Sequence, residues 1–452
     1  MQFKITCCIL SLLGCLDLTP AAADWPQFRG PNSDGVLALP AGTSPTIPRE
    51  WSETSNLAWK VPLPGPGWSQ PVVVGDNVYV TAAVSQKLAP PKGFSSGSGD
   101  FSSFLGGLKK APDITIDWQV LCFDLATGEK RWQKTAVAAK PQHAIHPSNT
   151  YATETPVADQ HGVYAYFAPS GKVVAFDPAG KLRWERDLGA YKTMQNLGPG
   201  SSPAICDGKM IINCFNEEKA FTVCLNTADG TPLWQVDRKE TGTSWSTPLV
   251  WQTSAGRELV ISGQKLMTGL DPATGKELWR IAGFEMPGAS SPTCDAERIY
   301  WGYVSPFART PLYAVPAGLR GDLSPAKGSK DIQDQAWSVK NGAPDMPTPL
   351  SVGGKLYILN DNIVRCFNAA TGKELYKQRL QQLQNVAASP VAVGNLVLIV
   401  DEAGNAELLS QSEKYERVGG GKLADMFWST PAVTPDAILF RGQEHLFCVR
   451  AK

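Results

Sequence analysis

The chain has 452 residues, of which 43% are hydrophobic and 19% charged, enough to bury a large core. Forty-two basic residues balance 42 acidic ones, with no run of like charge. That excludes DNA, RNA or an acidic membrane surface as the main partner, because a polyanion leaves a basic stripe on the protein that binds it.

The chain opens Met1-Gln2-Phe3-Lys4, continues through an apolar stretch from Ile5 to Leu16, and reaches Ala21-Ala22-Ala23 before Asp24. One positive charge, a short apolar segment and small residues before a polar start form a signal-peptide pattern over 1–23; a spanning helix would need about 20 apolar residues. The mature chain is therefore expected outside the cytoplasm, in the periplasm or beyond the cell. Two processing sites compete. Cleavage after Ala23 is preferred, because leucine two places before a lipobox cysteine is untypical. The alternative, Leu12-Leu13-Gly14-Cys15, would leave Cys15 carrying an outer-membrane lipid anchor. No later segment is apolar enough over sufficient length to cross a bilayer.

Residues 56–452 read as an array of one repeated unit, and 24–55 as an N-terminal extension packed on that array. A Ser/Thr-Pro or similar pair followed by alternating apolar residues recurs at Gln70-Pro71, Thr155-Pro156, Ser202-Pro203, Thr247-Pro248, Ser291-Pro292, Thr348-Pro349, Ser389-Pro390 and Thr430-Pro431. Most intervals run from 41 to 47 residues, the length of one four-stranded propeller blade. Two longer intervals carry insertions. The first, over 84–116, contains a glycine- and serine-rich stretch that reads as a flexible surface loop; the second, near 316–334, is shorter and similar. Within the first, Gly93-Phe94-Ser95-Ser96-Gly97 fits G-x-S-x-G only formally, since no strand and helix flank it.

Each unit divides into four short strands with period-two alternation, and no long amphipathic helix is visible. The third and fourth strands are joined by a recurrent hairpin, as in Asp124-Leu-Ala-Thr-Gly128 leading to Trp132, Asp271 to Gly275 leading to Trp279, and Asn368 to Gly372 leading to Tyr376. Looser copies lead to Trp184 and Trp234. Asp or Asn can bond backbone N–H groups in the turn, Gly takes the positive φ, and the aromatic packs on a neighbouring blade. The last repeat ends without its outer strand, while Asn56 to Pro64 looks like an outer strand without predecessors. The expected fold is therefore all-β: an eight-bladed propeller whose N-terminal strand completes the last blade, with Trp59 as that blade's docking aromatic.

Ten cysteines in an exported chain invite a disulfide framework, but Cys7, Cys8 and Cys15 lie in the leader. Cys122, Cys224 and Cys366 occupy one equivalent small slot in different blades, too far apart to bridge, and no structural disulfide is expected.

The hairpin resembles the tryptophan-docking motif of the quinoprotein (PQQ-like) propeller repeat, over nearly all of the mature chain. Asp24-Trp-Pro-Gln-Phe-Arg-Gly resembles the mature start of an exported group of such propellers from planctomycete-like bacteria. At the level of repeats and export the chain also resembles, distantly, the BamB family of outer-membrane assembly factors. That likeness implies a non-catalytic binding or scaffold propeller of the cell envelope, a monomer that meets an envelope protein partner or small ligand at the channel mouth. The alternative it carries is an oxidoreductase dependent on PQQ with calcium. Vicinal cysteines occur only as Cys7-Cys8 and no Trp-Asp catalytic segment is recognisable, so no cofactor, metal site or catalytic residue is assigned. A third reading is binding of an extracellular polymer.

In a propeller the innermost strands line a central channel, and ligands meet it at one mouth. Three places before the repeated prolines stand Trp68, Trp245 and Trp428. With Glu154 nearby, these are the candidate site residues: an aromatic-walled pocket, or else a filling for a narrow channel. His143 and His146, spaced H-x-x-H, read as loop histidines rather than metal ligands.

Overall fold

Short runs of β-branched and aromatic residues, alternating in and out and punctuated by Gly and Asp turns, give antiparallel ladders and nothing longer. The computed structural model describes residues 24–96, 110–239, 242–283, 290–303 and 310–451. Among them eight sheets stand in chain order, here called blades 1 to 8. Blade 1 pairs Val72–Val74, Asn77–Val84, Ile116–Asp124 and Lys130–Ala139 in that sequence. Blades 2 to 7 follow at 157–187, 204–237, 249–282, 293–339, 350–379 and 391–422.

Blade 8 takes three strands from 432–450 and its fourth from the other end of the chain. Leu57–Pro62 pairs antiparallel with His445–Arg450, Lys60 opposite Phe447 and Val61 opposite Leu446. The core lies between blades. Tyr79, Cys122, Val163 and Phe176 pack across blades 1 and 2, and Val80, Leu121, Leu398, Leu439 and Phe447 join blades 7, 8 and 1 in one cluster. Termini that pair leave no unpaired sheet edge at the junction.

The docking aromatics bind as their spacing requires. Trp59 Nε1 donates to Leu125 O at 3.1 Å, Trp132 Nε1 to Pro178 O at 2.9 Å, Trp184 Nε1 to Thr227 O at 2.9 Å and Trp234 Nε1 to Pro272 O at 3.2 Å. Each indole thus caps the turn of the next blade. Gly128 has φ +73° and lies so close to Trp59 that an added Cβ would fall 2.6 Å from the indole, so this turn demands glycine twice over. Trp279 departs from the set: blade 5 has no such turn, and the indole bonds Glu258 of its own blade at 2.7 Å. Cys122, Cys224 and Cys366 stand opposite Trp132, Trp234 and Tyr376, and Cys448 holds the same slot opposite Trp59.

The insertions differ from expectation. Residues 97–109 of the first lie outside the described residues, but its start is packed at the channel mouth, where Phe94 stacks on Trp428. In the second, Gly321–Asp322 adds a parallel strand to the outer edge of blade 4, and Leu323 and Ile332 are buried. Two apolar side chains spaced within a polar stretch anchor it together with Leu323 N donating to Arg280 O and Ala282 N to Ser324 Oγ.

Candidate functional site

Proline at the head of each innermost strand has no N–H to offer the ladder, and it holds the residue before it extended. That preceding residue is Ser or Thr in seven repeats, and in blades 1 to 7 the residue at this place points its backbone N–H to the hydroxyl of the next blade. Gln70 N donates to Thr155 Oγ1 (2.9 Å), Thr155 N to Ser202 Oγ (2.9 Å), Ser202 N to Thr247 Oγ1 (3.1 Å) and Thr247 N to Ser291 Oγ (2.9 Å). Ser291 N then donates to Thr348 Oγ1 (3.1 Å), Thr348 N to Ser389 Oγ (3.0 Å) and Ser389 N to Thr430 Oγ1 (3.0 Å). Seven hydroxyls therefore stitch the blades together around the channel.

At the eighth seam Gln70 replaces the hydroxyl. Its Nε2 donates to Pro431 O at 2.5 Å, and its Oε1 accepts from Arg29 N at 2.7 Å. The extension meets the channel here. Trp25 bridges to Val73 of blade 1, Pro26 O accepts from Ala158 N of blade 2, and Gln27 Oε1 accepts from Ile205 N of blade 3. The buried Arg29 guanidinium donates to Thr348 O, Pro349 O and Pro390 O, and Val36–Leu37 then pairs in parallel with blade 7. Burial pushes the Arg29 pKa down to about 10, so it remains a cation at physiological pH. The segment 25–37 thus crosses the channel and leaves a blind cavity of about 410 Å³, with Phe28 entering it from the plug and the seven hydroxyls around it.

Trp68, Trp245 and Trp428 all line this cavity. Each indole is locked by its own N–H: Trp68 Nε1 donates to Ser148 O at 2.7 Å, Trp245 Nε1 to Gly198 O at 2.7 Å and Trp428 Nε1 to Glu402 Oε2 at 2.8 Å. Trp68 and Trp428 stack with centroids 6.0 Å apart, and Phe94 stacks on Trp428 at 4.8 Å. Phe94 belongs to the first insertion. The buried Glu402 carboxylate pins it there, accepting from Phe94 N at 2.5 Å and Ser95 N at 3.0 Å as well as from the Ser95 hydroxyl. What reads in sequence as a loose loop thus supplies part of the wall.

Glu154 does not line the cavity. Thr153 and Thr155 do, and the extended chain turns the buried residue between them away from the channel, on the side of Tyr166 in its own blade. Neither of its carboxylate oxygens has a hydrogen-bond partner among the described residues, and burial pushes its pKa up to about 8. His146 lines the cavity, with Nδ1 2.8 Å from Ser148 Oγ, and no group of three His, Cys, Asp or Glu among the described residues is arranged to hold a metal. Among the described lining residues no side chain is acidic, and none is basic apart from His146. The sequence reading missed Phe28, Phe94 and Glu402, which follow no repeat. It passed over the ring hydroxyls although they stand in plain view beside each proline.

A family model described as "Outer membrane protein assembly factor BamB" matches residues 49–211 and 219–405. The outer membrane protein assembly factor BamB of Bordetella pertussis is 26% identical over 372 residues, covering 79% of this chain and 85% of that protein. Among solved structures, BamB from Moraxella catarrhalis superposes with a TM-score of 0.56 at 14% identity, over 87% of this chain and 99% of that one. The quinohemoprotein alcohol dehydrogenase from Comamonas testosteroni gives 0.59 at 12% identity, over 95% and 81%. At such identities the two structures speak for the fold alone.

Proposed function

Because the chain belongs to the family described as outer membrane protein assembly factor BamB, we propose that it is an exported, non-catalytic binding or scaffold propeller of the cell envelope, meeting its partner at the mouth of the channel. The observation that carries this reading is the cavity itself: blind, uncharged, and walled by three indoles each held by a hydrogen bond. Aromatic faces fixed before binding lose little conformational freedom when a partner arrives. The neutral surface and signal-peptide pattern agree with an envelope location, and no helix among the described residues is long and apolar enough to cross a membrane.

The quinone alternative is not favoured by the residues present. PQQ carries carboxylates and is held beside calcium, which calls for cationic side chains and for oxygen ligands of the acidic kind. The described lining has no acidic side chain and no basic one but His146, so these residues do not fit the group.

The test is a photo-cross-linking residue in place of Trp245, expressed in the native host, with Leu182 on the outer edge of blade 2 as control position. One discrete adduct with an envelope protein identified by mass spectrometry, formed from position 245 and not from 182, is expected. Adducts from both positions alike, or from neither, would contradict the proposal.

A further inference from the structure

The seven ring hydroxyls are more than stitching. Each oxygen accepts a backbone N–H from the preceding blade, and among the described residues none of their own protons has an acceptor. All seven line the cavity, so a ring of O–H donors is left for whatever enters it. An occupant that accepts from these donors takes the place of water in the mouth, and one that cannot accept leaves them without a partner. The indoles present the opposite character: their N–H groups are spent on Ser148 O, Gly198 O and Glu402, leaving aromatic surface alone, that of Trp428 partly covered by Trp68 and Phe94.

Three features then define the occupant. It carries acceptor oxygens around its edge, to meet the hydroxyl ring. It has apolar C–H faces, to lie against the negative faces of the aromatic rings. It bears no net charge, because no acidic side chain, and no basic one but His146, is among the described lining residues to offset a charge taken from water. A cavity of about 410 Å³ is of small-molecule size. A sugar ring combines these features, with hydroxyls on its rim and C–H groups on its faces.

We infer that the cavity is a site for an uncharged saccharide, with the Ser and Thr hydroxyls that precede the repeated prolines as its polar contacts and Trp68, Trp245 and Trp428 as its platforms. The assignment rests on the reading of the channel mouth as a binding site and names the chemistry it takes.

Tryptophan emission is to be followed while the purified mature chain is titrated with cellotriose, maltotriose, laminaritriose, triacetylchitotriose and, as a charged comparator, trigalacturonic acid. Saturable quenching by at least one neutral trimer is expected, weakened roughly tenfold or more for the charged one. Trp428→Ala and the paired change Thr247→Val with Ser291→Ala are each expected to weaken that binding roughly tenfold, and Trp428→Phe, which keeps a π face, far less. Circular dichroism melts report whether each variant is folded, and the Phe variant keeps the test usable if Trp428→Ala is not. No response to any neutral trimer, equal response to the charged one, or binding indifferent to these substitutions would overturn the inference. Adducts from position 245 without saccharide binding would overturn the saccharide assignment alone; saccharide binding without adducts would overturn the envelope-partner reading alone.

Discussion

Seven seams of the ring are joined at the channel by a single hydroxyl, and the eighth, between blades 8 and 1, is joined by the two-headed amide of Gln70. The ordinary seams link neighbours in sequence and need one acceptor. The eighth brings the two ends of the chain together and also receives the plug, so its side chain must donate to Pro431 O while accepting from Arg29 N. Arg441 is buried at the same seam, donating to Ser69 O at 3.4 Å and to the Ser69 hydroxyl, and burial pushes its pKa down to about 9. The difference teaches that ring closure and channel sealing are one construction: residues 25–37 and 57–62 fasten the same seam from inside and outside.

The largest expected effect follows from Trp59, which fastens that seam from outside. Trp59→Ala should cost about 3–5 kcal/mol in urea unfolding, as large aromatic truncations do, and Trp184→Ala at an ordinary seam should cost a comparable amount. A negligible loss at Trp59 with a full loss at Trp184 would break the closure account.

Glu154, buried just ahead of the innermost strand of blade 2, should act in the opposite direction. Its folded pKa of about 8 stands above the usual carboxyl range, so between about pH 4.5 and pH 8 the folded chain holds a proton that the unfolded chain has released. Stability therefore falls as pH rises through that window. Glu154→Gln should flatten the slope and raise stability at pH 8 by about 2–3 kcal/mol, at about 1.4 kcal/mol per pK unit with allowance for relaxation, while changing little at pH 4. Thermal melts at the two pH values check this, and parallel curves for the variant and parent would contradict it.

Gln70→Ser sharpens the comparison by giving the eighth seam the common residue. It loses the bonds to Pro431 and Arg29 and should cost about 2 kcal/mol, with hydrogen exchange quickening over residues 25–37. The smallest effect is expected for Thr247→Val, which strips the acceptor from Ser202 N–H at one ordinary seam and should cost about 1 kcal/mol. Equal exchange at 25–37 in both variants would erase the distinction between the seams.

Much of the fold was legible because the repeats carry it. The Asp/Asn-to-Gly turn and the following aromatic recur with the spacing that the docked indoles require, and Trp59 could be assigned to blade 8 because that blade lacked the same residue. Trp68, Trp245 and Trp428 were found together because register three places before a proline means one height in the channel. Glu154 was one residue off that register, and period-two alternation would have turned it away had it been applied there. Phe28 and Arg29 precede the first repeat by some forty residues, and Phe94 sits in a glycine- and serine-rich insertion, so no periodicity announces them. Leu323 and Ile332 were passed over for a similar reason, as two apolar side chains in a polar stretch set no pattern.

The central proposal is that this channel mouth is a binding site and not a quinone-dependent reaction centre. Calorimetric titration of the mature chain with pyrroloquinoline quinone, with and without calcium, followed by a dye-linked alcohol oxidation assay, tests it most directly. The account predicts no saturable heat and no turnover; tight calcium-dependent binding with turnover would contradict it.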